Sequence, residues 1–378
     1  MRIAIVTESF LPTVNGVTTS VLRVLDHLRA CGHDALVIAP DAGTPTHYNG
    51  FPVATLPSIA YRQFPVGLPN LRLQRMLAEF APDVVHVASP LFLGAQAIAA
   101  SNRLRIPTVA VFQTDVAGFA RSHGLGLTSS IAWRYVAWVH GGADLTLVPS
   151  ASSENDLRRV GVSRLARWGR GVDLQRYHPN RRRAPATISL REQLSPHGET
   201  VVGYVGRIAP EKQVERLVAL RGVPRLSVAI VGDGPSRTHV EKRLRGMNVT
   251  WLGRRDGEAL ATAYAALDIF VHTGAQETFG QTIQEAHASG LPVIAPNAGG
   301  PRDLVESGVT GLLYSPDNDG TLRDAVVRLS ENVPERLRMG ESGRRSVLSR
   351  GWDVIVDELI QRYEQVRHSA KSGPIHSR

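Results

Sequence analysis

Short runs of aliphatic and β-branched residues recur along the chain, each followed by a stretch whose apolar positions fall three and four apart. Residues 2–7 read as a buried strand. After a loop at 8–16, Val17, Val21, Val24 and Leu28 mark one face of a helix that stops at Gly32 and His33. Further strands are predicted at 35–39, 84–88, 107–112 and 145–148, with helical stretches between most of them. Runs that are apolar throughout, rather than alternating, are what strands of a parallel sheet covered on both faces require.

Residues 169–198 break this rhythm with Pro179, Pro185, Pro196 and the basic run Arg181, Arg182, Arg183, and they read as a linker. A second alternation follows, with strands predicted at 201–205, 227–231, 249–252, 269–273, 292–295 and 311–314. The pattern predicts an α/β chain of two tandem doubly wound domains. An N-terminal domain spans 1–170, a linker 171–198 and a C-terminal domain 199–350. A strong helix near 353–365 comes after the second alternation has ended, and the polar tail from Ser369 reads as disordered. Open parallel sheets bind ligands at the carboxyl ends of their strands. Two such sheets facing a central cleft would line it with the residues that follow each strand.

The 378 residues suffice for two ordinary domains. No apolar run approaches the length of a membrane span, and the run at residues 3–6 is too short for a signal-peptide core. Cys31 is the only cysteine, which fits a reducing cytoplasm, so the expected location is cytoplasmic. The formal charge of +9 asks for an anionic partner: a phosphorylated ligand, an anionic membrane surface or nucleic acid. A nucleic-acid-binding protein is therefore the alternative of another class. It would need basic residues interleaved with exposed aromatics, and the aromatics, 6% of the chain, show no such pattern. No nucleic-acid partner is expected.

The candidate chemistry sits after predicted strands of the second half. No GxxxxGK[ST], HExxH or GxSxG occurs, and no GxGxxG follows the first strand. Gly232-Asp233-Gly234 lacks the third glycine of a dinucleotide fingerprint. In "GYVGRIAPEKQ", Arg207 and Lys212 flank Pro210, where a helix is predicted to begin. Two cations beside a helix N-terminus suit a diphosphate, or else Lys212 pairs with Glu211 or Glu215 on a solvated loop. In "QETFGQTIQEA", Gly280 would be costly inside a helix, so Glu277 is expected on a loop and Glu285 just over one turn into a helix starting near Gln281. Carboxylates at both ends with backbone N–H groups between them suit a ligand with hydroxyls at its ends and phosphates in its middle, such as a sugar nucleotide. "NAGGPRDLV" supplies a third strand-end helix start at Pro301. Asp317-Asn318-Asp319 has the spacing of a metal-binding DxD but stands where a helix cap is expected, and His287 reads as a helix-surface histidine. Arg62, Arg72 and Arg75 flank an amphipathic stretch whose apolar side is Leu71, Leu73, Met76 and Leu77, a candidate acceptor or membrane surface.

Taken together, "GRIAPEK", "VGDGP", "QETFGQTIQEA", "AGGPRDLVESGVTGLL" and "RGVDLQRYHP" resemble the GT-B retaining glycosyltransferases of family 4, over nearly the whole chain. "TESFLPTVNGVTTSV" and "WGRGVD" resemble its lipid-directed branch, which includes plant sulfoquinovosyl-diacylglycerol synthases and actinobacterial GDP-mannose-dependent mannosyltransferases. The resemblance implies a retaining hexosyltransferase, an enzyme that takes mannose from GDP-mannose. Its acceptor would be a membrane glycolipid, such as a glucuronosyl-diacylglycerol or a phosphatidylinositol mannoside precursor, in glycolipid and phospholipid metabolism. It would act without metal or cofactor at the inner face of the cell membrane. A UDP-sugar-dependent lipid glycosyltransferase is the alternative. By the same resemblance, Arg207 and Lys212 hold the donor diphosphate, Glu277 contacts hexose hydroxyls, and backbone N–H groups of Phe279, Gly280 and Gln281 surround the sugar and phosphate. Glu285 accepts from the ribose, Gly16 lies close to the diphosphate, and the final helix, 351–368, crosses back onto the first domain. Where many relatives carry a histidine that contacts the hexose, this chain has Gln113, so Gln113 or Asp115 takes that place.

Overall fold

The computed structural model describes residues 1–61, 64–67, 71–113 and 126–372. The chain forms two compact units: Met1–Arg170 joined by the terminal helix from Trp352, and Gly171–Gly351.

The first unit is built on a sheet of β1 (Arg2–Val6), β2 (Asp34–Pro40), β3 (His47–Tyr48), β4 (Phe51–Leu56), β7 (Val84–Val87), β8 (Thr108–Val111), β9 (Leu145–Val148) and β10 (Leu165–Arg167); a separate hairpin pairs β5 (Ser58–Tyr61) with β6 (Phe64–Gly67). The sheet order is β10-β9-β8-β7-β1-β2-β4-β3. Its pairs are parallel apart from the short edge pair β3–β4. Ile3, Ala4, Ile5 and Val6 are all fully buried, because β1 is covered on both faces. From β1 the chain runs outward to β2 and β4, then returns on the other side to β7 and continues to β10. The strand order therefore reverses between β1 and β7.

The terminal helix, Trp352–Ser372, packs Ile355, Val356, Leu359, Tyr363 and Val366 into the core of this unit. The Trp168 indole donates to Ile355 O at 2.8 Å, and the Tyr363 hydroxyl lies 2.7 Å from Nδ1 of His86. Burial pushes the His86 pKa down to about 3. The helix runs past the predicted start of the disordered tail, since Val366 is still anchored and Ser369 is absorbed by donating its hydroxyl to Gln365 O at 3.0 Å.

The second unit carries β11 (Thr200–Val205), β12 (Leu226–Val231), β13 (Val249–Gly253), β14 (Ile269–Val271), β15 (Val293–Pro296) and β16 (Gly311–Tyr314), in the order β13-β12-β11-β14-β15-β16. All its pairs are parallel, and the order reverses between β11 and β14. Val202, Tyr204, Ile230 and Val271 fill the core on one face, and Val201, Val205, Ala229 and Phe270 the other.

The stretch 171–198, expected to be a linker, is folded into this unit. It forms a 3-10 turn, Pro179–Arg183, and a helix, Pro185–Leu194, each with proline at its start. Val172, Tyr177 and Leu194 are buried in the core. Its arginines act as ties: Arg182 and Arg191 both reach Asp268, whose carboxylate also accepts from Val201 N at 2.9 Å. Burial pushes the Asp268 carboxyl up, but Arg182, the Val201 N–H and Arg191 outweigh it and hold the group ionised below its ordinary range.

Candidate active site

The reversal between β11 and β14 is where an open α/β sheet offers a crevice at its carboxyl end. Two loops meet there: residues 206–213 after β11, and 272–280 after β14.

The first loop is locked from several sides. The Tyr204 hydroxyl donates to Arg207 O at 2.9 Å, Ile208 N–H donates to Asp233 O at 2.9 Å, and Ser236 N–H to Ile208 O at 3.0 Å. Gly232 and Gly234 allow this: a Cβ on them would fall 1.9 Å from Gly206 O and 2.2 Å from Ile208 O. The glycines of "VGDGP" thus hold a neighbouring loop. After Ala209 the chain makes a 3-10 turn, Pro210–Lys212, then a left-handed Gln213 and a second 3-10 stretch, Val214–Leu220. The helix expected at Pro210 is therefore a single 3-10 turn. Arg207 is exposed, and among the described residues its guanidinium has no hydrogen bond or ion pair.

Lys212 turns inward and pairs with Glu277, not with Glu211 or Glu215. The ion pair joins the two loops across the strand-order reversal. Thr273 Oγ1 donates to Lys212 O at 2.6 Å and closes the loops on each other. Beneath the pair, His272 is buried with Nε2 3.8 Å from Glu277 Oε2. Burial, aided by the Lys212 charge, pushes its pKa down to about 4 against the pull of Glu277, so the ring is neutral at physiological pH. Sequence reasoning passed over His272, since a histidine ending an apolar run carries no motif.

Glu277 sits on a loop and Glu285 in the helix Gln281–Ala288, as their spacing predicts. Gly280 begins that helix with φ 105°, a conformation that disfavours any side chain. Gly280 has no side chain to cap this helix, and of the first-turn N–H groups that of Ile283 donates to Gly280 O at 2.9 Å. The Gln281 Nε2 donates to Gly171 O at 3.0 Å, while its buried Oε1 has no partner among the described residues. Phe279 is buried. The Tyr264 hydroxyl, at the core of the unit, donates to Glu285 Oε2 at 2.8 Å and fixes that carboxylate. Tyr264 lay outside the sequence motifs.

Gly299 and Gly300 press on the same loop: a Cβ at either would lie 2.6 Å from the carbonyls of Glu277, Thr278 or Phe279, and Gly300 N–H donates to Glu277 O at 2.7 Å. The helix after them, Pro301–Leu304, is only four residues long. Of the three helix starts expected at strand ends, one is thus a helix of more than a turn or so. The other two shape its surroundings.

His287 is buried, not on a helix surface, with Nε2 3.3 Å from Leu304 O and its pKa pushed down to about 4 by burial. Asn318 caps the helix Asp319–Glu331 by accepting from Gly320 N, and Asp319 pairs with Arg216 at 2.5 Å.

In the first unit, the reversal between β1 and β7 brings together Gly16, Gln113 and the Ala88 carbonyl. Gly16 starts the helix Gly16–Ala30, which Asn15 caps by accepting from Val17 N at 2.9 Å and Thr18 N at 3.0 Å. Gln113 Nε2 donates to Ala88 O at 3.1 Å. Glu8 caps the neighbouring helix Phe92–Leu104 by accepting from Leu93 N at 2.5 Å and Gly94 N at 3.1 Å. Asp115 and Arg62 lie outside the described residues. Arg72 and Arg75 are exposed on the helix Leu71–Phe80, but its apolar side faces inward: Leu73 and Leu77 are fully buried and Met76 packs on the same core. Only Leu71 of the expected apolar patch faces solvent.

Residues 14–176 match the family described as Glycosyltransferase Family 4, and residues 187–346 match Glycosyl transferases group 1. The chain is 50% identical to a GDP-mannose-dependent alpha-mannosyltransferase of Mycolicibacterium smegmatis, over 97% of this chain and 98% of that protein. It is 31% identical to the sulfoquinovosyl transferase SQD2 of Arabidopsis thaliana, over 95% of this chain and 72% of that one. Among solved structures, Anabaena Alr3699/HepE in complex with UDP superposes with a TM-score of 0.79 at 21% identity, covering 97% of this chain and all of that one. The chain belongs to the family 4 glycosyltransferases, with the two-sheet GT-B fold, and is a hexosyltransferase.

Proposed function

We propose that the protein is a GDP-mannose-dependent α-mannosyltransferase whose acceptor is a membrane glycolipid. The observation that carries the donor site is the Lys212–Glu277 pair at the strand-order reversal of the second unit, beside the uncapped start of the Gln281–Ala288 helix. The choice of GDP-mannose is supported by the near full-length likeness to a relative of that name.

An ammonium has three donors, so Lys212 keeps Glu277 while offering its remaining N–H groups to a phosphate oxygen. Glu277 then accepts from hexose hydroxyls next to that phosphate. The first-turn N–H groups near Gln281 take further phosphate oxygens, and Glu285, held by Tyr264, accepts from the ribose. In the reaction, the bond between the mannosyl anomeric carbon and the diphosphate oxygen breaks, and the acceptor hydroxyl oxygen bonds to that carbon on the same face. The acceptor proton passes to the departing diphosphate, so no protein nucleophile or base is required. Arg207, Lys212 and the helix N–H groups stabilise the charge that develops on the leaving group.

A lipid acceptor calls for a surface that tolerates a bilayer. No helix among the described residues is long and apolar enough to cross a membrane. Ile131 and Trp138, on the helix Gly126–Gly141, are 67% and 65% exposed, and Phe92 is 55% exposed beside Tyr135. This apolar stripe, with the net charge of +9, replaces the Leu71–Phe80 helix as the surface for peripheral attachment to an anionic membrane.

The test is to incubate the purified protein with radiolabelled GDP-mannose or UDP-glucose and vesicles carrying glucuronosyl-diacylglycerol or phosphatidylinositol. The expected result is α-mannose transfer from GDP-mannose to the lipid fraction. Transfer from the UDP-sugar alone would reassign the donor, and transfer from neither would remove the lipid acceptor.

A further inference from the structure

Arg170, the last residue of the first unit's continuous stretch, lies in the motif "WGRGVD", but the sequence assigned it no role. Its Nη2 donates to Gln113 Oε1 at 2.6 Å. The same guanidinium lies over Gly16, where a Cβ would fall 2.7 Å from Nη1 and 3.1 Å from Nη2. Three chain segments thus meet at the strand-order reversal between β1 and β7: the start of the first helix, the end of β8 and the residue after Gly169.

We infer that Arg170 is a positioning residue that sets the orientation of the Gln113 amide, and that Gly16 is glycine to make room for it. The inference rests on the donor reading above and on the expectation, from the family resemblance, that Gln113 stands where relatives carry a histidine that contacts the hexose. Arginine has only donors, so the amide must turn its oxygen to the guanidinium, and its nitrogen then donates to Ala88 O. The amide is held from both ends without any titrating group. Gly16 needs no unusual backbone angle, so the demand for a missing side chain there comes from the guanidinium alone among its close neighbours. A methyl group at Gly16 would displace the flexible end of Arg170 and release Gln113, with the helix itself intact.

A double-mutant cycle tests this, using Gly16→Ala, Arg170→Ala and the pair in the full-length protein, read as kcat/KM for GDP-mannose and as affinity for GDP, which lacks the hexose. Each single substitution is expected to lower kcat/KM about tenfold, and the pair no further than Arg170→Ala alone, because both act through one contact. GDP affinity of Arg170→Ala should stay within about twofold, which a loss of folding would not allow, and Arg170→Lys should restore part of the rate. Additive losses, or a fall in the GDP affinity of Arg170→Ala matching its fall in rate, would overturn the inference while leaving the donor site standing. A wild-type protein that binds GDP-mannose no better than unrelated nucleotides would instead overturn the donor reading, and this inference with it.

Discussion

The two units solve the same topological problem in opposite ways. Each is a sheet of parallel strands, apart from the β3–β4 edge pair of the first, whose order reverses once, and each brings a helix start to that reversal. In the first unit the helix starts are closed from within: Asn15 caps the Gly16–Ala30 helix, and Glu8 caps the helix Phe92–Leu104. In the second, the helix start at Gly280 has no side-chain cap of its own, and a Gln281 oxygen with no partner among the described residues is buried beside it. A helix end whose donors are already satisfied has little to offer an anion, whereas one without a side-chain cap beside Lys212 suits the phosphate of the proposed donor. One fold used twice thus differs at its reversal point, and under the proposed function the second unit supplies Lys212, Glu277 and Glu285 to the donor.

Acid should act on both units alike, and it is the largest effect expected. Burial lowers the pKa of His86 to about 3 and of His140 to about 4 in the first unit, and of His272 and His287 to about 4 in the second. Between the ordinary value of 6.5 and these folded values the unfolded chain binds more protons, so stability falls as pH drops through that window. Each histidine removes on the order of 3 kcal/mol by the bottom of it. Thermal melts from pH 7 to pH 4.5 should show a steep loss. A flat profile would mean these rings are not buried neutral.

The next effect separates the units. Glu277→Ala should lower turnover roughly 100-fold, the scale of a lost charge-assisted hydrogen bond at a transition state. Gln113→Ala, which removes a neutral amide, should lower it only about tenfold. Equal losses would erase the contrast.

No larger than that of Gln113→Ala are the effects at the two helix starts. Asn15→Ala removes a cap and should destabilise by about 1 kcal/mol with GDP affinity unchanged. Gly280→Ala forces a side chain into φ 105° and should weaken GDP binding about tenfold, as the loop and first-turn N–H groups shift. Denaturant melts paired with GDP titrations separate stability from binding. The mildest prediction concerns Tyr264→Phe, which removes one bond to Glu285 and should cost GDP affinity about fivefold, or about 1 kcal/mol. An unchanged affinity would remove Tyr264 from the site.

The apolar runs made both sheets legible, because strands buried on both faces must be apolar throughout. Glu277, Gly280 and Glu285 were legible because a glycine in a helical pattern forces a boundary. The partner of Lys212 was not, since Glu277 lies 65 residues away and closer carboxylates compete for it in sequence. The same limit hid Tyr264 and Arg170, whose roles exist only through contacts made across the fold. Prolines and a basic run made 171–198 look like a spacer, whereas Pro179 and Pro185 start helical turns and the arginines bind Asp268. The Leu71–Phe80 helix misled for a related reason. An amphipathic pattern shows that one side is covered but not by what, and here the core covers it.

The central claim, that the second unit holds a guanine-nucleotide donor at its strand-order reversal, is met most directly by calorimetric titration of the protein with GDP and with UDP, repeated on Glu285→Ala. Tight GDP binding is expected, with weaker UDP binding and a loss of roughly 1.5–3 kcal/mol of GDP affinity in the variant. GDP binding that is unaffected by Glu285→Ala would contradict the claim.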